Sequence, residues 1–155
     1  MRFNARSIHF VSFLLAISAL IGACSAAPSK PTITIRGTTC EYAGPKQLPA
    51  KTTLTWDFQD SEPTMVFEYA VVALREGKSA EDLTALKGVE GAVTFQDIAP
   101  EWTVLVDSGN IPSTMTTTSE FDLAKHAGYR GEPLYVVCLS RAAPFDVVGP
   151  IEVAK

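Results

Sequence analysis

Cysteine and histidine are the residues of this sequence whose chemistry could support a metal or redox site. The chain has three cysteines, Cys24, Cys40 and Cys138, and two histidines, His9 and His126. A blue-copper site needs two imidazoles and a thiolate, and zinc needs several Cys or His ligands. No two cysteines have the C-x-x-C spacing of a catalytic dithiol, and the stretch LSRAAPF after Cys138 contains neither His nor Met. We therefore predict no metal site and no cofactor.

Acid–base and nucleophilic chemistry has little local support in the sequence. His126 would need a serine and a carboxylate to form a triad, and the chain has no G-x-S-x-G turn. Asp57, Asp60 and Glu62 supply oxygen ligands that Ca²⁺ prefers, but their spacing matches no calcium loop and is more typical of a polar turn. We predict no catalytic residue, and an enzyme with a shallow carboxylate site is the alternative.

One loop has the composition of a recognition site. Tyr129 and Arg130 lie between Gly128 and Gly131, and Tyr and Arg are enriched among residues that dominate binding energy. Loops flanked by glycine expose such side chains at the surface. We predict Tyr129 and Arg130 as a recognition loop; the alternative is an ordinary connection between strands.

The N-terminus is typical of an export signal. Residues 1–23 contain Arg2 and Arg6, no acidic residue, and an apolar run over residues 10–21. This arrangement of a short basic region, an apolar region and small residues indicates a secretory signal. The run is shorter than the roughly 20 residues needed to span a bilayer. A buried helix at the start of a cytosolic domain is the alternative, and it is disfavoured because the run has no polar face.

The residues at the end of this segment, Ile21-Gly22-Ala23-Cys24, resemble the lipobox of bacterial lipoproteins. The resemblance implies cleavage before Cys24 and a diacylglycerol on its sulfur, so that the lipid bilayer is a partner of the protein. It also implies an extracytoplasmic protein anchored in a bacterial cell envelope, at the inner or the outer membrane. Two or more acyl chains anchor a protein stably, whereas one does not. Cleavage after Ala26 or Ala27, which would release a soluble secreted protein, is the alternative.

The resemblance divides the chain into a cleaved signal at residues 1–23, an extended tether at 24–31 and a single domain at 32–155. With Cys24 lipidated, Cys40 and Cys138 remain in an oxidising compartment, where we expect them to form a disulfide. Two separate buried thiols are the alternative.

The charge of the processed chain argues against nucleic acid as a partner. Removal of Arg2 and Arg6 from the 13 basic residues leaves 11, against 17 acidic residues, for a net charge of −6. Nucleic-acid-binding domains are usually basic. A protein or small-molecule partner stays open.

The hydrophobic pattern predicts an all-β fold with one short inserted helix. Residues 33–36, 53–58, 115–123 and 151–153 alternate between apolar and polar, as half-buried strands do. Residues 65–74 and 134–139 are apolar on both faces and predict central strands, and residues 103–106 predict a shorter one. Ser79 to Asp82 resembles a capping box, and Gly88 follows where a helix would end. Together these elements indicate an antiparallel β-sandwich of cupredoxin-like or immunoglobulin-like type.

The order of elements in residues 32–154 resembles the cupredoxin-like domains of secreted bacterial lipoproteins. The similarity lies in Cys40-Glu41-Tyr42-Ala43-Gly44-Pro45 before an alternating strand, in the mid-chain helix, and in the late strand ending at Cys138. It implies the fold without the copper ligands. We therefore expect a lipid-anchored envelope protein whose β-sandwich serves binding or assembly, with a metal- or redox-handling cupredoxin relative as the alternative.

Overall fold

The computed structural model describes residues 30–59, 67–86, 94–111, 116–140 and 143–154. Cys24 and the rest of residues 1–29 lie outside these ranges, as do Asp60, Glu62 and Gly88. The described residues form nine strands: β1 (Thr32–Arg36), β2 (Thr39–Ala43), β3 (Gln47–Leu48), β4 (Lys51–Phe58), β5 (Phe67–Leu74), β6 (Thr103–Ile111), β7 (Thr117–Asp122), β8 (Leu134–Ser140) and β9 (Ala143–Val153). Two short helices, α1 (Ala80–Thr84) and α2 (Phe95–Ile98), lie between β5 and β6.

The strands form two packed sheets, which confirms the predicted all-β sandwich. One sheet has the order β2-β1-β4-β7 and the other the order β3-β9-β8-β5-β6. Most neighbouring strands are antiparallel, as predicted, but β1 is parallel to β4 and β3 is parallel to β9. Parallel strands need a long connection rather than a hairpin. Both pairs meet this condition, since β2 and β3 lie between β1 and β4, and five strands lie between β3 and β9.

The alternating strands line the space between the sheets as their pattern predicts. Leu54, Trp56 and Phe58 of β4 are buried, and so are Ile33 and Ile35 of β1. Successive side chains of a strand point to opposite faces, so the intervening threonines lie on the outer face of this sheet. The first sheet therefore has one apolar face and one polar face.

The central strands of the second sheet are buried on both faces. Every residue of β5 is buried, and Phe67, Tyr69, Val71 and Ala73 pack against the first sheet. The opposite face of β5 and β8 packs against Leu83 of α1 and Phe95 of α2. The prediction of two central strands is confirmed for the described residues, because the helices form a third layer over the sheet.

Both helices begin with the same capping chemistry. The Ser79 backbone N–H donates to the Asp82 carboxylate at 3.0 Å, and the Thr94 N–H donates to Asp97 at 2.8 Å. A carboxylate three residues after the N-cap satisfies a backbone donor that has no partner within the helix. The cap at Ser79 was predicted, whereas α2 was not, since four residues are too few to show helical periodicity.

The prediction for β6, residues 103–106, was too short, since the strand extends to Ile111.

Several strands begin or finish at the same end of the sandwich. We call the N-terminal end of the sandwich the end where β1, β4, β6 and β8 begin and where β5, β7 and β9 finish. The Leu123 N–H donates to the Ala50 carbonyl at 2.8 Å, and the Ala154 N–H donates to the Leu48 carbonyl at 2.7 Å. Both bonds fasten connecting segments at this end.

A disulfide between Cys40 and Cys138 joins the two sheets. Cys40 lies on β2 and Cys138 on β8, with their Cα atoms 6.6 Å apart and 98 residues apart in sequence. The Cys40 backbone N–H also donates to the Asp146 carboxylate of β9 at 2.6 Å. The predicted pairing is therefore present, and it fastens the edge strand β2 to the opposite sheet.

Replacement of both cysteines by alanine should lower the free energy of unfolding by about 4 kcal/mol, because the disulfide closes a loop of nearly one hundred residues and restricts the unfolded chain. Urea denaturation followed by tryptophan fluorescence measures this change. Cys24→Ala, which keeps the disulfide, is the matched control. A loss below about 1 kcal/mol, the size of an ordinary point substitution, would contradict the assignment.

Candidate functional site

His126 directly follows a short 3-10 turn, Leu123–Lys125. Its backbone N–H donates to the Leu123 carbonyl at 3.2 Å. Its Nδ1 atom is buried and has no hydrogen-bond partner within the described residues. The described residues also contain no group of three or more His, Cys, Asp or Glu side chains that could hold a metal ion.

The two residues of the predicted recognition loop differ in their surroundings. Tyr129 is half-buried against the inter-sheet core, and its hydroxyl donates to the Glu132 carbonyl at 2.8 Å. Burial, together with the negative charges of Glu132 and Glu152, raises the pKa of Tyr129. Arg130 is exposed, and its backbone N–H donates to the Glu132 carboxylate at 2.8 Å. Tyr129 thus has a packing role in the turn, while the Arg130 side chain is accessible to a partner.

Arg130 borders a polar cleft at the N-terminal end. The cleft has a volume of about 280 Å³ and includes Arg75, Glu76 and Glu132 in its lining. Two cations and two carboxylates thus share a small opening, so the cleft has no preference for one sign of charge. The recognition role of Tyr129 and Arg130 stays a prediction.

A larger groove lies on the outer face of the first sheet, where the N-terminal segment enters the fold. Its volume is about 680 Å³. The floor consists of outer-face threonines of β4 and β7, and the walls include Lys30, Pro31, Pro45, Pro49 and Lys51. This groove was not predicted from the sequence.

Strand register aligns threonines of the groove with one another and with Thr32 beside it. Thr32 of β1 lies opposite Thr55 of β4, and Thr55 lies opposite Thr118 of β7. In the adjacent row Thr53 lies opposite Glu120. Neighbouring strands are about 4.8 Å apart, so the threonines form a closely spaced row of hydroxyl and methyl groups. A sequence signal was available, since the T-x-T pattern occurs in residues 32–34, 53–55 and 116–118.

The groove offers hydrogen-bonding groups together with positive charge. Threonine hydroxyls donate and accept hydrogen bonds, and the lysines add positive charge. The described residues that line the groove include no His, Cys or Ser, and Glu120 is the only carboxylate among these described residues. A nucleophile needs an adjacent base that is oriented by a third group, and this lining supplies no such arrangement.

A polar cluster behind the groove holds β7 to the opposite sheet. The Tyr69 ring stacks on Trp56 with centroids 3.8 Å apart, and the Trp56 indole N–H donates to the Ser119 hydroxyl at 3.0 Å. The Tyr69 hydroxyl donates to the Asp107 carboxylate at 3.1 Å. A Cβ atom at Gly109 would approach the Tyr69 ring to 3.1 Å, so the absence of a side chain there lets the ring lie flat. The cluster links β4, β5, β6 and β7 at one side of the sandwich.

Burial is the main reason why the pKa of Tyr69 rises to about 12, and the charge of Asp107 raises it further. The hydrogen bond with Ser119 acts in the opposite direction. The cluster therefore holds Tyr69 in its protonated form. Its role is structural, since it fixes the strand that carries Thr118 and Glu120.

Comparison with known proteins gives no relative from which a role could be transferred: no family model, no curated protein and no solved structure matches this chain. Among the described residues, no helix is both long enough and apolar enough to cross a membrane.

Tyr69→Phe should remove the last step of the tyrosinate titration, near pH 12. The folded-state pKa of Tyr69 is raised above that of an unfolded tyrosine near 10. The unfolded chain therefore loses this proton first, so the stability that the shift provides is present below pH 10 and is lost as the pH rises towards 12. Tyrosinate absorbance measures the step, and circular dichroism confirms that the protein is folded. Persistence of the step in the variant would show that Tyr69 is not its source.

Proposed function

We propose that this protein is a lipid-anchored component of a bacterial cell envelope whose extracytoplasmic β-sandwich binds a partner without catalysing a reaction. The observation that carries the proposal is the Cys40–Cys138 disulfide. It uses two of the three cysteines, so Cys24 is the one left for another role.

The disulfide supports export of the domain. Disulfides form and persist in oxidising compartments outside the cytoplasm. The basic and apolar residues before Cys24 resemble an export signal. The two observations are independent, because the first depends on the folded domain and the second on a segment outside it.

The position of Cys24 supports its role as the anchor. The first strand begins at Thr32, eight residues after Cys24. The segment between them contains Pro28 and Pro31 and small residues, a composition typical of an extended linker. An acyl group on Cys24 would therefore reach the bilayer without disturbing the first strand.

A binding role is supported by the surface of the domain. The groove on the outer face of the first sheet offers hydroxyl groups and two lysines, and its described residues include no activated nucleophile. A concave site with a few placed polar groups is the usual form of a binding site. The proposed similarity to cupredoxin-like lipoproteins rests only on the order of the predicted elements in the sequence.

The mass of the protein purified from its own membranes tests the anchor. We expect a chain that begins at Cys24 and carries a diacylglycerol, together with a two-hydrogen increase on reduction of the disulfide. Cys24→Ser should abolish lipidation and release the protein from sedimented membranes. The matched control, Cys40→Ser with Cys138→Ser, should keep the lipid and lose the reduction shift.

Two results would contradict this proposal in different ways. A lipid-free chain that begins after Ala26 or Ala27 would indicate a soluble secreted protein. Extra mass that is lost on denaturation, with metal found by elemental analysis, would favour the metal-handling alternative.

A further inference from the structure

The N-terminal segment enters the fold through the groove itself. Lys30 and Pro31 are part of the groove wall. The Pro31 carbonyl accepts a hydrogen bond from the Thr55 N–H at 2.9 Å, and the Lys30 carbonyl accepts one from the Thr32 hydroxyl at 3.0 Å. The first contact holds the start of the described chain against β4, and the second is a local bond that fixes the turn before β1. The described chain therefore begins at the wall of the groove, six residues after Cys24.

The short distance to Cys24 keeps this groove near any bilayer that holds the lipid. Six residue steps separate Cys24 from Lys30, and an extended chain spans at most about 3.5 Å per residue, or about 20 Å in all. The opposite end of the sandwich is a further strand length away, since the eight residues of β4 extend about 26 Å at about 3.3 Å per residue. The groove is therefore the part of the domain that reaches the membrane surface most readily.

Most of the described lysines and arginines lie at the same end, where carboxylates such as Asp122 and Glu152 also lie. Seven of the eight described lysines and arginines lie at the N-terminal end, and Arg36 is the exception at the opposite end. Lys78 and Lys125 form salt bridges with Asp82 and Asp122. Charges that are already paired contribute little to the attraction of a further anion.

The lysines around the groove differ from those pairs. Lys30 and Lys51 line the groove, and Lys46 follows Pro45 of its wall. All three are exposed, and within the described residues none of them forms a salt bridge. Among the described residues of the lining, Glu120 is the single carboxylate. The described lining thus has two lysines against one carboxylate, with Lys46 beside it, in a protein whose sequence is acidic overall.

We propose that this groove docks onto anionic phospholipid headgroups of the membrane that holds the anchor. Lys30, Lys46 and Lys51 would contact headgroup phosphates, and the exposed hydroxyls of Thr53 and Thr118 would donate hydrogen bonds to their oxygens. The proposal rests on the proposed lipid anchor. Three lysines bind an anionic membrane surface only weakly, so a second attachment must keep the domain close to it. It fixes the orientation of the domain, with the N-terminal end towards the bilayer.

Relaxation measurements on the protein coupled to a bilayer test this orientation. The isotope-labelled chain that begins at Cys24 is joined through its single free thiol to a maleimide lipid in nanodiscs of phosphatidylcholine and phosphatidylglycerol, with a gadolinium-chelating lipid as the probe. Amide relaxation at Thr53, Thr55 and Thr118 should then be enhanced several-fold more than at Gly37 and Thr39. The difference should diminish in phosphatidylcholine alone and at high salt, because salt screens exposed charges.

Charge reversal supplies the matched comparison. Lys30→Glu with Lys51→Glu should reduce the difference between the two ends to the level that the tether alone gives in phosphatidylcholine, whereas Arg36→Glu, at the opposite end, should leave it unchanged. The amide spectra of both variants show whether the fold is intact. Equal enhancement at the two ends of the unmodified domain, or stronger enhancement at Gly37 and Thr39, would overturn the docking proposal.

Chemical coupling keeps this test separate from the test of the anchor. The maleimide lipid attaches the domain whether or not the cell acylates Cys24. Failure of the proposed anchor is seen in the mass of the native protein, while failure of docking is seen in the relaxation data.

Discussion

The burial of β5 and β8 on both faces is the constraint on which the rest of the structure depends. A strand with apolar side chains on both faces has no face that can be left in water, since exposing such side chains would forfeit about 25 cal/mol for each Å² of apolar surface. One face of this pair is covered by the first sheet and the other by α1 and α2. The position of the helices after β5 follows, because only an element on the outer side of the second sheet can cover Val72 and Val137.

The contact between the sheets also determines what the outer face of the first sheet can do. The Cys40–Cys138 disulfide fixes β2, and the cluster around Tyr69 fixes β7 at the other edge. Because both edges are attached to the second sheet, the inner residues of β1 and β4 pack between the sheets. Their outer residues face solvent and can be polar. The row of Thr32, Thr55 and Thr118 is a consequence of this division, because register on the inner face sets register on the outer face.

Local patterns predicted the elements, while the groove depended on pairings that no local pattern contains. Alternation over residues 53–58 identified β4 and the side chains it buries, and the cap at Ser79 identified α1. The parallel alignment of β1 with β4 joins residues more than twenty positions apart. Without knowledge of this pairing, the three T-x-T patterns predict only that three separate strands each have a polar face. The composition of the loop at Tyr129 predicted exposure, but the packing of its ring against the core could be seen only in the folded chain.

The position of β1 within its sheet makes it a suitable attachment for an anchor. β1 lies between β2 and β4, so both of its sides are paired with neighbouring strands. An N-terminal strand at an edge could be peeled away by breaking one ladder of hydrogen bonds, whereas β1 is held by two. Its antiparallel neighbour β2 is joined through Cys40 to the second sheet. A force applied at Lys30 is therefore transmitted through β1 to both sheets, and a domain tethered at this point resists detachment of its first strand.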